Sequence, residues 1–353
     1  MQVKTKKYID YSRIGVYNIG IRKKGGRAVM IRVPEYFVKF KCIADRCQDS
    51  CCIGWEIDVD DASRAKYEAL YTDLGREIVE KTSHGCFPLQ KNGRCAFLDE
   101  RGLCRIISAL GDGYLCDICR EHPRYYGVGD GIIEGGLGLG CEEAARMILE
   151  LSSLPKLIEI ERDVPYSDED ELADVSAVFR ERLYGVIFTD DIRTVASTYA
   201  AYSRLADDVA FDVSSSGERT EVPSVKAEAF GMSAIEETYR GALDCIDECE
   251  ALTDRWCSLL SLAREVETEK ALDRLDKMRG LLYYFTHRYV REGVEDMTLA
   301  ARIAFALTSA MTVAALSTVM EGDRPDILAA VEYSKNIEYS TENVEYVLDN
   351  IFL

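Results

Sequence analysis

The chain has 353 residues, 47% of them hydrophobic, and a formal charge of -19. That much apolar sequence supports about two ordinary domains, so disulfide staples are not required for folding. The acidic balance also disfavours nucleic acid as a partner, because a polyanion is repelled by an acidic surface.

Residues 1–29 run against this balance: they carry eight Lys or Arg and one acid, Asp10, which leaves -26 for residues 30–353. They lack the apolar core and small-residue cleavage site of a secretory signal, so the expected localisation is cytoplasmic. A basic arm can bind nucleic acid or a membrane surface. A simpler reading is favoured here. Lys24-Gly25-Gly26 can be encoded by a ribosome-binding sequence at suitable spacing before Met30, so the segment is read as a leader of translated upstream sequence.

Residues 30–155 are expected to form a cysteine-cluster metal-binding module, and 156–353 an all-α helical domain, in a protein that is mainly α. Ten of the thirteen cysteines lie in the first of these, at Cys42, Cys47, Cys51, Cys52, Cys86, Cys95, Cys104, Cys116, Cys119 and Cys141. Such density means either a disulfide framework in an oxidising compartment or metal ligation in a reducing one. The odd total and the missing signal favour metal. Gly, Asn and Asp recur between the thiols, which predicts turns and short helices organised by metal. Four thiolates satisfy one zinc or one [4Fe–4S] cluster, so ten exceed one site. The Cys116-x-x-Cys119 spacing suits either metal, and adjacent Cys51 and Cys52 point apart on a regular backbone. The C-x-x-x-C-x-x-C motif of radical enzymes is absent, since Gly54 follows Cys47 and Cys51 where the third cysteine would stand. His122 sits close enough to Cys119 to support a ligand, and Trp55 could shield a cluster, although ordinary packing accounts for both.

Glu134-Gly135-Gly136-Leu137-Gly138-Leu139-Gly140 fits the acidic-x-G-x-G-x-G loop of nucleotide-type cofactor sites, which makes Glu134, Gly136 and Gly138 cofactor-binding candidates. The flanking chain shows no repeated strand–helix alternation. A glycine-rich turn presenting Cys141 is therefore favoured. After it, apolar spacing of three and four predicts helices over Glu142–Leu151, Glu171–Phe188, Asp191–Phe211, Met232–Val266 and Glu269–Arg291. Weak stops fall at Asp163–Asp168 and Ser214–Pro223, the latter a candidate linker. Ile303–Met320 has no charged residue but is only mildly hydrophobic, so it is read as a buried helix and not a membrane span. Cys245 and Cys249, four apart on a helix, are read as small packed hydrophobes before metal ligands. Tyrosines concentrate at Tyr125-Tyr126, Tyr283-Tyr284-Tyr289 and Tyr333-Tyr339, mostly as core residues.

The cysteine group at 42–52, Gly93-x-Cys95-x-Phe97-Leu98, Leu103-Cys104-x-Ile106, Cys116-x-x-Cys119-Arg120-x-x-Pro123-Arg124 and Cys141-Glu142-Glu143-Ala144-Ala145-Arg146 together resemble the cysteine-cluster family described as zinc- or iron-chelating. More narrowly they resemble the flagellin lysine-N-methylases. The stretch Tyr333-Ser334-Lys335-Asn336-Ile337-Glu338-Tyr339-Ser340-Thr341-Glu342-Asn343 is similar to that family's C-terminal Y-S-K-E-I-E-H-S-x-x-N, departing from it at Asn336 and Tyr339. The resemblance covers about residues 30–350. It implies transfer of methyl groups from S-adenosylmethionine to surface lysines of flagellin, with an iron–sulfur cluster in preference to zinc. By register it nominates Glu338 as the carboxylate facing the target amine.

The expected partner is flagellin or another lysine-rich protein drawn to the acidic body, with no nucleic acid and no membrane. The alternative is a non-enzymatic cysteine-cluster protein that handles or senses zinc or iron. Binding of S-adenosylmethionine separates the two.

Overall fold

A computed structural model of the protein describes residues 29–48, 50–53, 57–129, 132–162, 175–216, 222–225, 231–253, 255–291 and 298–351. The leader up to residue 28, Trp55, the stop at Asp163–Asp168 and residues 217–221 of the candidate linker lie outside the described residues. Among the described residues helix outweighs strand 61% to 11%, so the structure is mainly α.

The first element is β1 (Val29–Pro34), in which Ile31 and Val33 are fully buried and Arg32 between them is half-buried, the alternation of a strand with one face on a core. It leads into the short α1 (Tyr36–Lys39). β4 (Arg124–Gly129) and β5 (Ile132–Leu137) pair antiparallel, and β6 (Leu157–Arg162) pairs antiparallel along the whole of β1. β1 and β5 are parallel, giving the order β4-β5-β1-β6. This sheet stands beside the turns and short helices expected for much of the first half, an expectation that named no strand there. Its strands come from both sides of residue 155, and the paired β1 and β6 are more than a hundred residues apart, so no local pattern announces them. β5 runs into α6 (Glu142–Leu149), which matches the expected helix there.

Between α1 and β4 the chain closes a second, smaller core. It contains a 3-10 turn (Ala44–Arg46), β2 (Ile57–Asp58), α2 (Asp61–Glu68), α3 (Asp73–Lys81), β3 (Cys86–Phe87), α4 (Arg105–Leu110), another 3-10 turn (Asp112–Tyr114) and α5 (Asp117–Glu121). Ile57, Tyr67, Ile78, Phe87, Phe97 and Ile106 fill it. Side-chain caps start its helices: Asp60 Oδ1 accepts the Ser63 N–H at 2.9 Å, and Thr72 Oγ1 accepts the Gly75 N–H at 3.1 Å. Asp60 Oδ2 also accepts the Asp117 N–H at 2.9 Å, which ties α5 to α2.

The remaining helices are α7 (Val175–Ile187), α8 (Ile192–Ser216), α9 (Met232–Glu248), α10 (Trp256–Arg264), α11 (Thr268–Leu275), α12 (Gly280–Tyr289), α13 (Leu299–Val319), α14 (Pro325–Tyr333) and α15 (Thr341–Asn350). α13 is long and apolar enough to cross a membrane, with mean hydropathy 1.7, but it is the buried centre around which α8 to α12 and α14 pack. One hydrophobic core runs from Ile31 to Ile351 and joins the sheet to these helices. Cys245 and Cys249 pack against it, with their thiols directed at the Asn350 and Asn343 carbonyls.

Two expected helices are each two. Met232–Val266 breaks after Glu248, because the N–H groups of Glu250, Leu252 and Thr253 are taken by side chains from the C-terminal segment. Glu269–Arg291 breaks at a 3-10 turn over Asp276–Met278. There the chain bends so that Gly280 presses on the Ile148 carbonyl of α6, an approach that a Cβ would block.

Candidate active site and thiol cluster

The segment that resembles the methylase tail ends α14 and continues as a single π-helical turn, Ser334–Glu338, before Ser340 caps α15 by accepting the Asn343 N–H at 3.1 Å. A π-turn inserts a residue into the helical register and is frequent at functional sites. Here it swings Glu338 inward, to 2% exposure. Tyr284 and Tyr289 of α12 donate to Glu338 Oε1 at 2.7 and 2.8 Å, and Arg288 Nη1 stands 3.2 Å from that atom. Arg288 also donates to the Tyr284 hydroxyl at 2.5 Å. The second oxygen, Oε2, is buried and has no hydrogen-bond partner. One carboxylate oxygen is thus held by two tyrosine hydroxyls and the Arg288 ion pair, while the other is a buried acceptor whose capacity for a cation or a proton is unused. The tyrosines are driven well above their ordinary proton affinity by burial, so they remain neutral donors.

The rest of the segment is scaffolding. Tyr333 donates to Ser309 of α13 at 2.7 Å. Asn336 Oδ1 accepts the N–H groups of Leu252 and Thr253, each at 2.9 Å, and its amide donates to the Glu332 carbonyl at 2.9 Å. Asn343 pairs with Glu250 like a strand partner, accepting its N–H at 3.0 Å and donating to its carbonyl at 2.9 Å. The amide at 336, where the family has an acid, supplies the donor that the neighbouring Glu332 carboxylate takes at 3.1 Å. Tyr339 lies over Gly140, where a Cβ would overlap its hydroxyl.

The glycine-rich stretch is a strand followed by a turn, and not a turn throughout. Gly135 and Gly136 stand opposite Tyr126 and Tyr125 of β4, whose rings lie over them in the space that side chains would fill. Gly138 donates to the Pro123 carbonyl at 2.7 Å. Glu134 is 3% exposed and ion-paired with Arg180 of α7, which with Arg291 and the His287 ring holds its carboxyl below the usual range despite burial. Glu134, Gly136 and Gly138 therefore already have partners within this chain.

The thiols gather in two groups. Cys47 lies near Cys42 and Cys141, while Cys52, Cys95, Cys104, Cys116 and Cys119 surround the edge of the smaller core. Cys51 falls between them, with Cys52 on one side and Cys141 and Cys42 on the other. The divergence of Cys51 and Cys52 expected from their adjacency serves this division, though the two also share a hydrogen bond that drives Cys51 well up and holds Cys52 down. Burial pushes Cys47 up to about 12 and Cys141 to about 11. Cys104, Cys116 and Cys141 each stand at the N-cap of a helix, and backbone N–H groups point at the Cys104 and Cys141 sulfurs, which opposes the effect of burial. Cys86 is in β3 opposite Asp58. Among the described residues no three His, Cys, Asp or Glu side chains are arranged to hold a metal ion. The donor set is nonetheless all soft thiolate, the chemistry that suits zinc or iron–sulfur.

Sequence reasoning did not find Arg180, Arg288, Arg291 or Tyr36. Tyr284, Arg288 and Arg291 recur at four and three residues, a stripe that ordinarily reads as a solvated helix face. Here the arginines are at most 9% exposed. His287, also buried, places Nε2 3.2 Å from the Gly135 carbonyl and Nδ1 3.2 Å from the Tyr184 hydroxyl, and desolvation pushes its pKa down to about 4.

Curated proteins share this chain's sequence over a limited span. It is 30% identical over 133 residues to a protein named Lysine-N-methylase from Salmonella typhimurium strain LT2, a match covering 35% of this chain and 33% of that protein. The same identity and coverage hold for Lysine-N-methylase from Salmonella choleraesuis strain SC-B67. Against the flagellar biosynthetic protein FliU of Salmonella muenchen it is 29% identical over 136 residues, covering 35% of this chain and 79% of that protein. The chain thus spans about a third of the length of the curated methylases it matches. No family model and no solved structure matches.

Proposed function

These relatives support the flagellin lysine-N-methylase family for this chain, and from that premise we propose that it is a protein lysine N-methyltransferase using S-adenosylmethionine, with flagellin as its substrate. The observation that carries the reading is the half-satisfied carboxylate of Glu338, whose open Oε2 can receive a lysine amine inside a tyrosine-lined, water-poor setting.

A lysine ammonium has a pKa of about 10.4 in water and must become neutral before it can attack. Burial beside Tyr284 and Tyr289 disfavours the charged amine, and Glu338 Oε2 supplies a place for its proton. The amine lone pair then forms a bond to the methyl carbon of the sulfonium. The carbon–sulfur bond breaks with its electrons passing to sulfur, leaving methyl-lysine and S-adenosylhomocysteine. Arg288 keeps Glu338 oriented throughout by engaging the opposite oxygen. The acidic surface, -26 outside the leader, draws a lysine-bearing protein towards the site.

The thiols of Cys52, Cys104, Cys116 and Cys119, with Cys95 beside them, are the residues that would hold an iron–sulfur cluster in this reading, and Cys42, Cys47 and Cys141 are a second candidate set. A bound cluster would cross-link segments that are otherwise joined by turns. The methyl transfer itself needs no electron from it.

The test is incubation of anaerobically purified protein with labelled S-adenosylmethionine and flagellin, with methyl-lysine read by mass spectrometry. Methylated lysines, lost by at least 100-fold in Glu338→Gln with unchanged circular dichroism, support the reading. Binding of the donor without methylated flagellin would remove flagellin as the substrate, and no donor binding would remove the enzyme.

A further inference from the structure

Beside the Glu338 cage lies a second cluster of buried polar side chains that the proposed transfer step does not use. It brings together Tyr36 at the start of α1, Tyr125 of β4, Glu134 of β5, Arg180 of α7, Tyr283 of α12 and Arg291 just beyond that helix. The hydroxyls of Tyr36, Tyr125 and Tyr283 are all buried, and none has a hydrogen-bond partner. Nε and Nη1 of Arg291, a residue 4% exposed, are equally unpartnered. The Tyr125 ring centre is 4.7 Å from the Arg288 guanidinium carbon and 5.7 Å from that of Arg291.

Buried donors without acceptors cost free energy, and native proteins leave few of them in one place unless a ligand, ion or water completes the set. The charges make the same point. Glu134 pairs with Arg180 and Glu338 with Arg288, while Arg291 has no carboxylate of its own. His287, the other titratable group against Glu134, is neutral at pH 7 because burial lowers its pKa. Among the described residues three guanidiniums thus face two carboxylates, an excess of one positive charge. A monoanion balances it, whereas a phosphate dianion would overshoot.

We infer that this cluster is a carboxylate-binding site, in which Arg291 and the hydroxyls of Tyr36, Tyr125 and Tyr283 receive the free carboxylate of an amino-acid-like ligand. Its position one tyrosine ring from Glu338 suits the amino-acid end of the methyl donor, an identification that rests on the methyltransferase reading. The carboxylate site itself rests on the unpartnered donors. All bonds are charge-assisted or donated by neutral phenols, and no proton moves.

The experiment is calorimetric titration of the full chain with S-adenosylmethionine and with its decarboxylated analogue, for the wild type, Arg291→Met and Tyr283→Phe, alongside the melting temperature of each unliganded protein. The wild type should prefer the carboxylate-bearing compound by roughly 10- to 100-fold. Arg291→Met should bind both compounds alike, because it removes the cation that receives the carboxylate. Tyr283→Phe should lose several-fold of the preference without loss of stability, and remains informative should Arg291→Met not fold. Equal wild-type binding of the two compounds would overturn the carboxylate site while leaving the methyltransferase standing. Binding of neither would overturn both. A full preference retained in both variants would make these residues structural and sink the inference.

Discussion

Asn336 and His287 show what a single buried polar side chain decides here. Asn336 closes the end of α9 by accepting two backbone N–H groups that no helix or strand would otherwise satisfy. Removing it leaves both donors stranded, so Asn336→Ala should cost about 2–4 kcal/mol in urea denaturation; a loss below about 1 kcal/mol would show the loop to be held by other means. His287 acts through its protonation. Its folded pKa, about 4, lies below the unfolded value near 6.5, so its contribution is fully present above about pH 6.5 and is lost as pH falls towards 4. Between pH 7 and 4.5 the wild type should lose about 2–3 kcal/mol from this group, and His287→Gln should show a flatter profile over that window. Identical profiles would mean that the ring is solvated when charged.

At the level of elements, close approach between helices is what distinguishes otherwise similar glycines. Gly280 opens α12 against the α6 carbonyl of Ile148, whereas Gly185 in α7 and Gly241 in α9 have open space where a Cβ would go. Gly280→Ala should therefore destabilise by roughly 3 kcal/mol or more through displacement of α12 from α6. Gly185→Ala and Gly241→Ala should each stabilise by about 0.5–1 kcal/mol through helix propensity alone. Thermal melts of the three variants check this, and a neutral Gly280→Ala would show that α12 can shift freely. The shift also carries a functional consequence, since Tyr284, Arg288 and Tyr289 ride on the same helix.

The described residues form two hydrophobic cores of unequal size, and Cys52, Cys95, Cys104, Cys116 and Cys119 belong to the smaller one. Small cores with many turns draw stability from cross-links, whereas the helices around α13 bury enough apolar surface to stand without them. If the thiols hold metal, its removal by a chelator should abolish hydrogen-exchange protection between residues 57 and 119 while α8 and α13 keep theirs. Loss of protection across both cores together would show that they unfold as one unit, and no change at all would argue against a structural metal.

By itself the sequence determined the local and chemical features: the helical character of the second half, the burial of the uncharged stretch in α13 and the concentration of thiols. These follow from periodicity and residue chemistry, both readable along the chain, whereas Glu338 is nominated by resemblance to the methylase tail. Only the tertiary structure decided that Val29–Pro34 and Leu157–Arg162 are neighbours in one sheet, that the glycines of β5 lie beneath tyrosine rings, and that the helix after Glu248 stops. Arg288 and Arg291 are the sharpest case, because an arginine stripe on a helix is ordinarily solvated. Whether such a stripe faces water or a buried carboxylate depends on what the rest of the chain packs against it, and strand pairing and helix packing supply that partner from residues far away in sequence.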